Sequence, residues 1–145
     1  MSYNLSQRSM QHLSGVHPDL VAVVKRAIQI TEQDFSVIEG VRNINRQREL
    51  VAKGASKTMN SRHLTGHAVD LAPYPVNWDW EYFYPIADAM ITSCKELDVP
   101  LRWGGNWQVM DVREWQGTAR ELGESYTGNF SDGPHLEIPR DYGYD

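Results

Sequence analysis

Two histidines and two aspartates, split between two short segments, are the residues of this chain best equipped for hydrolysis. The first segment is Ser61-Arg62-His63-Leu64-Thr65-Gly66-His67-Ala68-Val69-Asp70; the second is Asp132-Gly133-Pro134-His135. A catalytic zinc ion takes three protein ligands, imidazole nitrogens and carboxylate oxygens among them, and keeps a fourth position open for water. His63, Asp70 and His135 offer that set to one Zn²⁺ ion. Asp132 adds a carboxylate that could take a proton from water and pass it to a leaving amine. Gly66 permits the backbone turn that lets His63 and Asp70 face one point. Any one of these residues, taken alone, reads as readily as a surface or capping group; the combination carries the signal.

Neighbouring residues refine the set. In a strand starting at His135, Leu136 and Ile138 face one way and His135 and Glu137 the other. Glu137 can then orient a ligand imidazole from behind, and it is also the rival of Asp132 as base. His63 and His67 are spaced like a helical zinc pair, but that motif needs a glutamate between them and a helix, and Thr65-Gly66 opposes a helix. Ser61 reads as a loop hydrogen-bonding residue, because no G-x-S-x-G elbow or triad spacing accompanies it.

These residues need a scaffold, and the patterning supplies one. A proline-led helix from Pro18 turns Leu20, Val24, Ala27 and Ile28 inward. Residues 34–38 read as a strand, and 45–53 as a helix stopped by Gly54. A polar loop covers 56–62, and a strand 67–72. Asp79 caps a long helix through Cys94, with Pro85 either a kink or a fresh start. Residues 101–103 and 135–138 are further strands. Residues 108–131 have no clean period and read as a lid or binding loop, or as hiding a short helix between 111 and 122. The expected fold class is α+β, a small and mostly antiparallel sheet flanked by helices.

Composition narrows the function. The chain has 145 residues, a size for one core, and its net charge is −5 with no basic stripe, which argues against a nucleic-acid partner. No stretch is apolar and long enough for membrane insertion. The N-terminus lacks a basic segment followed by an apolar run, so the sequence predicts synthesis without a signal peptide. Cys94 is the only cysteine and shares a helical face with Ile86, Met90 and Leu97, the setting of a buried structural thiol.

Ser61-x-His63-x-x-Gly66-x-Ala68-x-Asp70 resembles the first signature of the zinc D-Ala-D-Ala carboxypeptidases and L-alanyl-D-glutamate endopeptidases, enzymes that cut peptidoglycan peptides. Asp132, three residues before His135, resembles the second signature, in the aspartate form used by bacteriophage endolysins of the L-alanyl-D-glutamate type. Glu39-Gly40-Val41-Arg42, Gln47 and Trp103-Gly104-Gly105-Asn106-Trp107 resemble further motifs of that family, in order along the chain. The resemblance runs from about residue 19 to 138, with a segment 108–131 longer than is common.

The resemblance implies a hedgehog/DD-peptidase-like fold in which residues 1–145 form a single zinc peptidase domain without a separate cell-wall-binding domain. It implies His63, Asp70 and His135 as zinc ligands, Asp132 as catalytic acid and base, and Arg42 as the group that polarises the scissile carbonyl. Ser61, Gln47, Glu137 and Trp103 are supporting or substrate-binding residues in that picture. The implied substrate is the peptidoglycan stem peptide at its L-alanyl-D-glutamate bond. The implied partner is a holin, which releases the enzyme from the host cytoplasm to the periplasm and wall. Nothing demands more than a monomer. A D,D- or L,D-carboxypeptidase and a non-catalytic zinc-stabilised binding module are the alternatives; the base at Asp132 disfavours the second.

Overall fold

The computed structural model describes residues 2–144. Among them, helices α1 (Gln7–His12), α2 (Pro18–Ile30), α3 (Ile44–Ala52), α4 (Trp80–Leu97) and α5 (Ala119–Glu124) surround four strands. The strands are β1 (Phe35–Glu39), β2 (Ala68–Pro73), β3 (Arg102–Trp103) and β4 (His135–Glu137). They form one antiparallel sheet in the order β1-β2-β4-β3, the α+β architecture the sequence predicts.

The sheet has one face for the core and one for the site. Phe35, Val37, Val69, Leu71 and Leu136 join a cluster with Leu20, Val23, Val24 and Ala27 of α2 and Ile86, Met90 and Cys94 of α4. Alternation along β2 and β4 then turns Ala68, Asp70, His135 and Glu137 to the opposite face. Register completes the arrangement: Asp70 pairs with Glu39 on one side and with His135 on the other, so three polar residues form a row across three strands.

Local signals explain most of the elements. Pro18 sits at the first turn of α2, and the His17 imidazole accepts from the Asp19 amide, so His17 is a capping residue. Asn43 caps α3, Gly54 follows it at φ +75°, and Asp79 caps α4 as expected. Pro85 neither restarts nor ends α4, which runs through it; the missing N–H falls in the second turn, where the packed apolar face holds the helix together. Cys94 is fully buried, and burial pushes its thiol up to about 12, so it is inert.

Two expectations change. Helix α1 was not foreseen; Ser6 caps it, and the buried Ser9 hydroxyl holds the Val37 amide of β1. The segment 108–131 is not a structureless lid; of its two readings, hidden short helices hold. It holds a 3₁₀ turn, Val112–Glu114, and α5, whose Thr118 and Glu121 form a capping box. Val112, Ala119 and Leu122 anchor it in the core. Its period is hidden because two very short helices present only a few apolar residues each.

Candidate metal centre and active-site cleft

The row across the sheet forms the floor of a cleft of about 410 Å³. His63 arrives from a 3₁₀ turn, Arg62–Thr65, capped by the Ser61 hydroxyl, which accepts from the His63 amide at 3.2 Å. Gly66 ends that turn at φ +78°, and a Cβ there would lie 2.6 Å from the Gly15 carbonyl oxygen, so both conformation and space demand glycine. The turn sets His63 beside Asp70 and His135.

The three donor atoms form a nearly equilateral triangle. His63 Nε2 lies 3.2 Å from Asp70 Oδ1 and 3.2 Å from His135 Nδ1, and His135 Nδ1 lies 3.3 Å from Asp70 Oδ1. A tetrahedral zinc with bonds of about 2.0 Å requires about 3.3 Å between ligand atoms. The remaining ring nitrogens are held from behind. His63 Nδ1 is 2.8 Å from the Gly40 carbonyl oxygen, an acceptor, so that nitrogen carries the proton and Nε2 presents its lone pair to the centre. His135 Nε2 is 2.8 Å from Glu137 Oε1, which likewise leaves Nδ1 to face inward. Three acceptors aimed at one another in a buried site repel unless a cation joins them. His63, Asp70 and His135 can therefore hold a metal ion.

Without metal, a proton takes that place. Burial opposes charge on His135, yet hydrogen bonds to Asp70 and Glu137 outweigh it and raise the imidazole to about 10. Burial also opposes charge on Asp70, and the hydrogen bond from the protonated His135, with the His63 ring beside it, overcomes that and holds the carboxyl well below its usual range. Metal binding must displace the proton.

Asp132 lines the same cleft but lies outside the donor triangle. Burial first, and then the charge of Asp70, raise its carboxyl from the ordinary aspartate value. The turn carrying it is clamped by the Trp103-Gly104 pair. Trp103 Nε1 donates to the Gly133 carbonyl at 2.8 Å, Gly104 N donates to the His135 carbonyl at 2.8 Å, and Asp132 N donates to the Gly104 carbonyl at 2.7 Å. A Cβ on Gly104 would lie 2.2 Å from the Asp132 carbonyl oxygen. Trp103 is wholly buried, so it is a support for the Asp132 turn and not a substrate-binding residue.

Arg42 approaches from the other side. Its guanidinium donates to both Glu39 carboxylate oxygens at 2.7 Å and to Gln47 Oε1 at 2.7 Å, and Nη2 lies 3.6 Å from Asp70 Oδ2. Gln47 is fully buried and its amide nitrogen donates to Ser56 Oγ at 2.8 Å, so it fixes Arg42 and the 56–58 loop and does not meet substrate. Glu137 lies behind His135 in hydrogen-bond contact with it, which rules out the rival reading of Glu137 as base. His67 turns away, with its ring nitrogens near Thr65 Oγ1 and the Tyr144 carbonyl, and is not in the triangle.

Sequence reasoning missed most of the walls. Lys57, Trp78 and Phe130 line the cleft beside Trp107 of the Trp-Gly-Gly-x-Trp motif, and the Lys57 ammonium sits 5.2 Å from the Phe130 ring centroid. No periodic or motif signal marks Lys57, Trp78 or Phe130.

Comparisons with known proteins give the family and the fold. A family described as phage L-alanyl-D-glutamate peptidase matches residues 1–138. The L-alanyl-D-glutamate peptidase of Escherichia phage T5 is 33% identical over 116 residues, covering 75% of this chain and 85% of the phage protein. The crystal structure of the Serratia marcescens L-Ala D-Glu endopeptidase ChiX superposes with a TM-score of 0.74 at 38% identity, covering 93% of this chain and 90% of that one.

Proposed function

This chain belongs to the phage L-alanyl-D-glutamate peptidase family, and from that premise we propose a zinc-dependent mechanism for its endopeptidase activity. It is a peptidoglycan endopeptidase of the endolysin type. The ion is one Zn²⁺, held by His63, Asp70 and His135; two imidazoles and one carboxylate in tetrahedral spacing suit zinc better than the oxygen-rich sites of magnesium or calcium. When bound there, zinc supplies Lewis-acid chemistry that acidifies water and polarises a carbonyl.

The protein's own groups do the rest. Asp132 takes the proton of the attacking water and returns it to the amine that leaves. Arg42, held by Glu39 and Gln47, fixes Asp70 and places positive charge beside the oxyanion that develops at the scissile carbonyl. Glu137 holds His135 in its ligating tautomer. Lys57, with no carboxylate partner among the described residues, offers its charge to the free carboxylate of the D-glutamyl residue. One chain carries the whole donor set, so the site needs no second copy. No described helix is long and apolar enough to cross a membrane. Since the substrate lies in the wall, the route to it is release from the host cytoplasm through a holin.

The observation that carries this reading is the donor triangle, with its proton-bearing nitrogens turned outward, beside a buried carboxyl in a cleft. Metal analysis paired with mass spectrometry of digested muropeptides tests it. One zinc per chain and new D-glutamyl N-termini are expected. Released D-alanine would favour a carboxypeptidase, and intact muropeptides with bound zinc would favour a binding module.

A further inference from the structure

Trp78 is 60% exposed and lines the catalytic cleft. It is not loose. Its ring stacks on Phe83, with centroids 5.9 Å apart and planes at 22°. Trp80 packs against Phe83 at 6.3 Å and against buried Trp103 at 6.3 Å. Trp80 and Phe83 also lie under Gly133, in the turn that carries Asp132. An aromatic stack therefore runs from buried Trp103, beneath the turn that carries Asp132, through the less exposed Trp80 (37%) and Phe83 to Trp78, its most exposed ring.

The substrate chemistry says what belongs there; the step rests on the endopeptidase reading above. In peptidoglycan the L-alanine is joined through a lactyl group to a muramyl sugar. The L-alanine and the lactyl group together span only about 7 Å, so with the L-alanyl bond over the metal centre the sugar stays within reach of the residues that line the cleft, Trp78 among them. Sugar rings present apolar C–H faces that stack on flat aromatic surfaces. Of the other cleft-lining rings, Phe130 is covered by the Lys57 ammonium. Trp107 has the Arg102 guanidinium 5.1 Å from its ring centroid and the His135 ring, tilted, with its centroid 5.1 Å away. Trp78 alone among them keeps an open face on a rigid support.

We infer that Trp78 is a saccharide-stacking platform that binds the muramyl sugar carrying the scissile stem peptide. This site lets the catalytic domain engage glycan directly, and it makes the sugar part of the recognised substrate.

Two substrates that share one stem peptide test the inference, one carrying muramoyl on its L-alanine and the other a plain acetyl group. The unaltered enzyme should show a kcat/KM about tenfold higher for the muramoyl substrate, chiefly through KM. In Trp78→Ala that ratio should fall close to one, and Trp78→Tyr should recover part of it. Saturation-transfer NMR with the peptide-free disaccharide reads binding without hydrolysis; transfer should be seen with the unaltered protein and lost in Trp78→Ala. Equal rates on both substrates in the unaltered enzyme, or a preference and a transfer signal that survive Trp78→Ala, would overturn the proposal. Disaccharide binding that depends on Trp78 in a protein that cuts neither peptide would support the platform while refuting the endopeptidase reading.

Discussion

The floor and the walls of the cleft are held by different means. On the floor, strand register sets Asp70 opposite His135, a capped turn brings His63 to them, and each imidazole is gripped from behind by an acceptor. On the walls, Lys57, Trp78 and Phe130 come from loops and reach toward solvent or one another. Chemistry at a metal tolerates little displacement, so its ligands sit on the most constrained backbone. Recognition of a long polymer tolerates more, and its residues sit where sequence can change without disturbing the sheet.

If that division holds, damage to the floor should be far costlier than damage to the walls. Asp70→Asn or His63→Ala should lower bound metal well below one equivalent and abolish turnover, and chelation should do the same reversibly; both are read by metal analysis and a wall-clearing assay. Asp132→Asn should keep its metal and its fold yet lose about 10²- to 10⁴-fold in kcat. A folded, fully active Asp132→Asn would place the base elsewhere. Glu137→Gln comes next, with metal affinity weakened about 10- to 100-fold and less effect on kcat at saturating zinc, measured by competitive chelation. The smallest effect belongs to the wall. Lys57→Met should raise KM several-fold with kcat nearly unchanged, and amidating the D-glutamyl carboxylate should reproduce that change in the unaltered enzyme. A loss of kcat in Lys57→Met would blur the division between floor and wall.

Asp132 also makes a stability prediction with a defined sign. Burial, and then the Asp70 charge, raise its carboxyl, so the folded metal-free chain binds this proton more tightly than the unfolded chain does. Its contribution to stability is present at low pH and is lost as pH rises through the folded-state value. Asp132→Asn removes the buried charge. The metal-free variant should therefore melt higher than the parent at pH 7, and the gap should close as pH falls toward 3.8, the ordinary aspartate value. A gap that widened on acidification would contradict the burial argument. The expected trade of stability for activity is common at catalytic groups.

Legibility in the sequence followed the range of each signal. Helices α2 and α4 announce themselves through caps and apolar period, and β2 and β4 through alternation beside the motif residues. Helix α1 and the segment 108–131 do not, because their short elements depend on contacts to β1 and to the core cluster formed far along the chain. The residues of the candidate metal centre were legible because metal chemistry permits few residue types. Trp103 and Gln47 were legible as belonging to the site but not in what they do there, since both are fully buried and act through Gly133 and Arg42.

Residue identity and order thus determined the candidate donor set, the fold class and the family, because each rests on local patterning or on the chemistry of a side chain. Only the tertiary structure decided that Glu137 stands behind His135, that Arg42 is anchored between Glu39 and Gln47, and that Trp78 remains open at the rim. Those outcomes depend on register, burial and packing between segments distant in the chain, which no short stretch of sequence encodes alone.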